Sequence, residues 1–194
     1  MNTIYIFGLG AGDVEQLTVG VYRKLKKAHP LFLRTKEHPA AEGLQEEGIA
    51  FTSFDDVYEK HEQFADVYEE IAGTLIEQAK HGDVFYAIPG HPLVAERTVQ
   101  LLLEAEQRGD CRVVIEGGQS FLDALFTAVR IDPIEGFQLL DATAFQGDEW
   151  SPSLHAVFCQ VYDPFVASNV KLSLMEQLPD DYPVYICLLY TSDA

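Results

Sequence analysis

The sequence predicts an α/β protein built as two consecutive domains, and three observations carry that prediction. Short β-favouring runs alternate with longer segments whose apolar residues recur every three or four positions, the pattern of parallel strands joined by helices. Three of those runs, at 4–7, 84–88 and 113–116, empty into glycine-rich turns: Gly8-Leu9-Gly10-Ala11-Gly12-Asp13, Pro89-Gly90-His91-Pro92 and Gly117-Gly118-Gln119-Ser120. Beyond Glu116 the rhythm changes to a stretch richer in strand and loop. Residues 1–116 are therefore expected to form an N-terminal domain around a parallel sheet, and 117–194 a C-terminal α/β domain.

Each element has its own warrant. Residues 3–7 form a first buried strand, after which Val14, Leu17, Val21 and Leu25 recur at helical spacing, with Asp13 or Thr18 as cap. A second strand is predicted over 30–33, a short helix over 40–47 stopped by Gly48, and a third strand over 49–54. Phe64, Val67, Tyr68, Ile71, Leu75 and Ala79 give one apolar face to a helix over 59–80, with Gly82 placed for a left-handed C-terminal residue. Strand four is 84–88. A helix over 93–108 turns Leu101, Leu102 and Ala105 inward and stops at Gly109, before a fifth strand over 112–116.

In the second domain Phe121, Leu122, Leu125, Phe126 and Val129 share a helical face that Asp132-Pro133-Ile134-Glu135-Gly136 breaks. Strands at 137–141 and 155–161, a helix near 165–178 and a strand at 184–189 follow. The stretch 185–190 reads as buried, yet only Thr191-Ser192-Asp193-Ala194 come after it, too few to complete a sheet of the usual size. The sequence is accordingly expected to be a fragment, or to end in residues foreign to the protein, with the second domain incomplete.

Composition narrows the function. With 47% apolar residues over 194 positions the chain can bury a sizeable core. A formal net charge of -18, with only 13 Lys and Arg, argues against a nucleic-acid surface. The one basic run, Arg23-Lys24-Leu25-Lys26-Lys27, falls in the last turns of a predicted helix, where cations complement the dipole. Cys111, Cys159 and Cys187 are widely spaced without CxxC, so they are expected as core thiols in a reducing cytosol. The six histidines lack metal-ligand spacing, no metal site is expected, and no apolar run approaches the about 20 residues of a membrane span. A soluble, cytoplasmic protein without a membrane partner is the expectation.

Glycine turns at the ends of parallel strands suggest a ligand held close to the backbone. A dinucleotide site would need GxGxxG and an acidic residue after strand two; here Asp13 stands at the third glycine and strand two ends in Arg34-Thr35. A P-loop is excluded by the absence of any Gly-Lys pair. A serine-hydrolase elbow is half present in Gly118-Gln119-Ser120-Phe121-Leu122, with Asp132 and His155 in the right order, but Leu122 replaces the second glycine. Ser120 is then a plain helix cap. What remains is a ligand bound by backbone groups and apolar walls.

Taken in order, the first turn with Leu17-Thr18, then the run from Gly82-Asp83 through Pro89-Gly90-His91-Pro92-Leu93, then Val114-Ile115-Glu116-Gly117-Gly118-Gln119-Ser120-Phe121, resemble the motif set of the tetrapyrrole (corrin/porphyrin) methylase family. More narrowly, the chain resembles its YabN-like branch, in which the methylase is joined to a MazG-type nucleotide pyrophosphohydrolase. The resemblance implies the tetrapyrrole methylase fold, with S-adenosylmethionine in a cleft between two α/β domains and methyl transfer to a small-molecule or tetrapyrrole-like acceptor. It implies cofactor contacts from Leu9 and Gly10, from Pro89, Gly90, His91 and Val94, from Ser120 and Phe121, and from Gln160 and Val161 for the adenosine. Asp13 would face the acceptor, as the one candidate catalytic base. A fused C-terminal MazG-type domain is implied, and a homodimer is admitted.

This chain departs from the commoner family pattern at Gly90-His91-Pro92 and at Gly117-Gly118-Gln119-Ser120-Phe121, which fits the fused branch and leaves the acceptor open. Each site residue also has a plainer role: Pro89 and Gly90 a tight turn, His91 a capping imidazole, Phe121 core, Asp13 a helix cap. Arg34, Lys36 and Arg97 could form a small basic cluster for an anionic acceptor. The alternative function is a non-catalytic ligand-binding or regulatory module for an attached pyrophosphohydrolase. Glu42, Glu46 and Glu47 and the pair Glu69-Glu70 are read as solvated helix faces rather than as the metal cluster of such a hydrolase.

Overall fold

The computed structural model describes residues 2–188. Contacts divide the chain into two compact units, one formed by Met1–Ala124 and the other by Leu125–Cys187. The first unit thus runs beyond the expected break at residue 116 and includes the third glycine turn.

In the first unit β1 (Thr3–Gly8), β2 (Leu31–Leu33), β3 (Thr52–Ser53), β4 (Val84–Ile88) and β5 (Arg112–Gly117) form one sheet in the order β3-β2-β4-β1-β5. Every pairing is parallel. Side chains alternate across it, as period-two strands require. Ile4, Ile6, Val84, Tyr86 and Ile88 join one cluster with Val67, Ile71 and Leu75 of α4 (Phe64–Ala79) and Val99, Leu102 and Ala105 of α5 (Arg97–Arg108). Phe7, Leu9, Leu31, Leu33 and Ala87 join the other, with Val21 and Leu25 of α1 (Val19–Leu25) and Ala40, Ala41 and Leu44 of α2 (Pro39–Glu46). A parallel sheet needs helices on both faces, and this one has them. Each fully buried Leu or Ile contributes about 1.5–3 kcal/mol.

Several boundaries differ from the sequence reading for local reasons. The first helix is two: Asp13 caps a single 3-10 turn, Val14–Gln16, and Thr18 caps α1. Because β2 is three residues long, β3 pairs with it only through Phe32 with Thr52 and Leu33 with Ser53. The helix expected over 59–80 splits into α3 (Asp55–Lys60) and α4, with His61 extended between them. That break lets Lys60 and His61 both reach Glu70, at 2.7 and 2.6 Å. The end of α4 is an ordinary right-handed Lys80, so Gly82 is not the left-handed cap expected of it. Gly109, at φ 84°, does play that role for α5. α5 starts at Arg97 rather than at 93, since Glu96 turns inward, extended, to pair with Arg34.

α6 (Phe121–Val129) runs across the division between units. The second unit holds a parallel pair, β6 (Phe137–Asp141) with β7 (His155–Cys159), and α7 (Pro164–Met175), capped by Asp163. Phe126 meets Phe137 and Phe145 meets Phe158 edge to face, at 5.1 and 4.9 Å. The expected strand at 184–189 is not formed over its described part. Residues 184–188 pair with no strand among the described residues, and Tyr185, Ile186 and Leu188 are exposed; positions 189 and 190 lie outside the described residues. A strand is held by its neighbour's donors and acceptors, and none stands beside this segment there. Of the expected core thiols only Cys111 is buried; Cys159 is half-buried and Cys187 exposed. No helix among the described residues is long and apolar enough to cross a membrane.

Candidate functional site

Strand order locates the site. β1 leads through the first glycine turn to α1 on one face of the sheet, while its neighbour β4 leads through the second turn toward α5 on the other. Adjacent strands whose connections leave to opposite faces open a crevice at their carboxyl ends, where ligands of open α/β sheets bind. The third turn follows β5, on the far side of β1, and a register irregularity between Ile115 and Gly117 turns it toward the first.

The turns converge on backbone. A Cβ added to Gly8 would clash with the Gly90 carbonyl oxygen and lie 2.9 Å from Pro92 Cδ and 3.0 Å from Gly118 Cα. Reciprocally, one on Gly118 would lie 2.5 Å from Gly8 Cα. Only glycine permits this approach. Gly90, at φ 66°, presents its missing side-chain direction to open space. The result is a ledge of main chain at the crevice, with no side chain standing on it at Gly90.

Hydrogen bonds lock the ledge. Gly10 N–H donates to Gly90 O at 3.2 Å and Gly90 N–H to Gly10 O at 2.8 Å. Leu9 N–H donates to Ile88 O at 2.7 Å, and the Leu9 side chain is wholly buried in the core. Leu9 therefore offers a ligand no side-chain surface, and the paired groups of Gly10 and Gly90 leave close approach as their main contribution. His91 Nδ1 accepts from Leu93 N–H at 3.1 Å, and Val94 N–H donates to His91 O at 3.0 Å, so the second turn is held by its own histidine. Pro89, Gly90, His91 and Val94 are half-buried around it. In the third turn Ser120 Oγ accepts from Leu122 N–H at 3.1 Å while Asp123 accepts from Ser120 N–H at 2.9 Å, a capping box at the head of α6. Phe121 is half-buried beside it. Asp13 is exposed and spends Oδ1 on Glu15 N–H at 3.0 Å, its plainer capping role.

Gln160 and Val161 follow β7 in the second unit. Gln160 holds φ 64°, a left-handed conformation uncommon outside glycine, and Val161 is exposed.

The residues after β2 were not singled out as a unit by the sequence, yet they brace the ledge. His38 is buried; Ala40 N–H donates to its Nδ1 at 3.1 Å, which puts the ring proton on Nε2, 3.0 Å from Gly10 O. Burial, with Arg34 nearby, holds its pKa below 6.5 against the opposing pull of the Gly10 bond. Arg34 pairs with Glu96 at 3.1 Å, and both side chains are largely buried. Burial raises the Glu96 carboxyl, an effect Arg34 opposes. Of the residues suggested as a basic cluster, Arg34 pairs with Glu96, and Arg97 pairs with Glu104 along α5 at 3.0 Å. The basic run of α1 is likewise engaged, Lys24 with Glu116 and Lys26 with Glu47. His38 precedes a proline at a helix start, a weak sequence signal because histidine is not among the preferred N-caps.

Comparison with known proteins agrees with the motif order. Residues 3–192 match the family described as Tetrapyrrole (Corrin/Porphyrin) Methylases. A Bacillus subtilis (strain 168) protein named uncharacterized protein YabN is 55% identical over 183 residues, 94% of this chain and 37% of its own length. A probable diphthine methyl ester synthase of Arabidopsis thaliana is 29% identical over 108 residues, 55% of this chain and 38% of its own. The chain therefore spans under half the length of either relative. Among solved structures, uroporphyrin-III-C-methyltransferase from Thermus thermophilus aligns with a TM-score of 0.65, at 21% identity, over 92% of this chain and 73% of that one. A diphthine synthase aligns at 0.53, with 22% identity, over 71% and 53%. At these identities the two structures establish a shared fold.

Proposed function

Because the chain belongs to the tetrapyrrole (corrin/porphyrin) methylase family, we propose that it is an S-adenosylmethionine-dependent methyltransferase whose cofactor lies on the main-chain ledge at the β1–β4 crevice. The observation that carries this is the convergence of Gly8, Gly90 and Gly118, which packs main chain against main chain at the switch point of the sheet, with the Pro92 ring beside it. The residues fit such a group: the direction a Gly90 side chain would take is open, so a ligand can lie against the main chain there.

When bound, the cofactor supplies a methyl on a sulfonium whose sulfur keeps the bonding electrons and leaves as a neutral thioether. The protein's own work is then to align donor and acceptor and to exclude water. Pro89, Gly90, His91 and Val94 shape the turn that would seat the methionine end, stiffened by His91 on Leu93 N–H. Ser120 and Phe121 would contact the cofactor from the third turn, and Gln160 and Val161 would meet the adenosine. Asp13, oriented by Glu15 N–H, is the group available to take up an acceptor proton. The proposal extends to a pyrophosphohydrolase joined to this chain, supported by the far greater length of the YabN relative. A homodimer and a cytoplasmic setting are further parts of it, resting on the family resemblance and, for the cytoplasm, on the odd number and wide spacing of the three cysteines.

Calorimetric titration with S-adenosylmethionine and S-adenosylhomocysteine tests it. Micromolar binding that is lost in the Pro89→Ala, Gly90→Val double variant is the expected result. No heat and no thermal shift with either ligand overturns the proposal, and binding of nucleoside triphosphates instead favours the regulatory module.

A further inference from the structure

We infer that His38 is a positioning residue that sets the first glycine turn against the second, and so shapes the ledge on which the proposed cofactor would lie; the functional part of this rests on the methyltransferase reading above. The geometry is a closed relay. Ala40 N–H fixes the imidazole through Nδ1 at 3.1 Å, and Nε2–H reaches Gly10 O at 3.0 Å. The same carbonyl accepts from Gly90 N–H at 2.8 Å, so its two lone pairs are filled by one donor from the turn after β2 and one from the turn after β4.

The support of the imidazole is itself rigid. Thr35 Oγ1 donates to Asp55 Oδ1 at 2.6 Å, Lys36 N–H donates to Asp55 Oδ2 at 3.0 Å, and Glu37 N–H donates to Thr35 Oγ1 at 3.0 Å. Arg34, four residues before His38, ties the same segment to Glu96 ahead of α5. One short stretch therefore grips the first turn through His38 and the segment beyond the second turn through Arg34. Without the Nε2 bond the Gly10 carbonyl keeps only its Gly90 partner, and the ledge loses one of the contacts that hold Gly10 in its left-handed conformation at φ 73°.

Two substitutions separate the two halves of the imidazole. His38→Asn reproduces the Nδ1 acceptor, a good helix cap, but cannot reach Gly10. His38→Gln reproduces the Nε2 donor and gives up the cap. Two readouts are taken on each: exchange protection of the Gly90 amide in the protein alone, and affinity for S-adenosylhomocysteine. Expected for His38→Asn are a modestly lower melting temperature, about tenfold faster Gly90 exchange and about tenfold weaker binding, the equivalent of one hydrogen bond. Expected for His38→Gln are a lower melting temperature with Gly90 protection and affinity near wild type. Wild-type Gly90 protection in His38→Asn overturns the inference whatever the ligand does, and so does loss of protection in His38→Gln. A wild-type protein that binds no ligand overturns the methyltransferase reading alone, since the Gly90 measurement still decides the role of His38.

Discussion

The two units are built from the same parts and reach different degrees of closure. In the first, β1 and β4 each have a strand on both sides and helices over both faces, and their side chains Ile4, Ile6, Phe7, Ala87 and Ile88 are fully buried. In the second, two strands pair only with each other among the described residues, and the buried apolar side chains described there are Ala142 and Val170. Phe165 and Leu172 of α7 lie open, at 82% and 60% exposure. Parallel pairing alone does not protect a strand; cover on both faces does. The proposed ledge stands on the closed unit, while Gln160 and Val161 belong to the open one.

Amide exchange should show the contrast at its largest. Amides of β1 and β4 are expected to open only with the global unfolding free energy, about 5–15 kcal/mol, and those of β6 and β7 for several kcal/mol less. Equal protection in both sheets would erase the distinction. Next in size, Arg34→Met should cost about 3–5 kcal/mol in urea denaturation near neutral pH by leaving Glu96 buried without its cation. A loss under about 1 kcal/mol would mean that the pair is solvated, as surface pairs are.

Smaller effects follow the packing. Leu75→Ala, in the closed core, should cost about 3 kcal/mol, whereas Leu172→Ala should stay within about 0.5 kcal/mol. Matching losses would show that the second unit packs more tightly than its exposures indicate. The smallest effect is a pH dependence from His38. Its folded pKa lies below 6.5, so between the two values the folded state binds fewer protons than the unfolded. Its contribution is full above about pH 6.5 and is lost as pH falls through the depressed value. The slope of stability against pH across that window should flatten in His38→Gln.

Much of the first unit was legible because local rules and tertiary packing agree there. The alternation of Ile4, Ile6 and Val84, Tyr86, Ile88, the glycine after α5 and the caps at Asp13, Thr18 and Ser120 are all written in neighbouring residues. Boundaries slipped where a distant partner intervened. Glu96 left the expected helix to meet Arg34, and His61 interrupted another as it and Lys60 reached Glu70. The strand expected at 184–189 had the right side chains and no described neighbour to bond. Local composition specifies what a segment can be, while pairing depends on what lies beside it.

For the site the division is sharper. The sequence by itself determined that three strands end in glycine turns, that these turns match neither the dinucleotide nor the P-loop pattern, and that the ordered motifs are those of a methylase family. Tertiary structure alone decided that β4 inserts between β1 and β2, which makes β1 and β4 the switch point, and that Gly8, Gly90 and Gly118 meet there. It alone brought His38 to Gly10 and Arg34 to Glu96. The reason is physical: a turn's conformation is set by its own few dihedrals, but strand order and buried polar partners are settled by contacts between residues far apart in the chain, which no local pattern records.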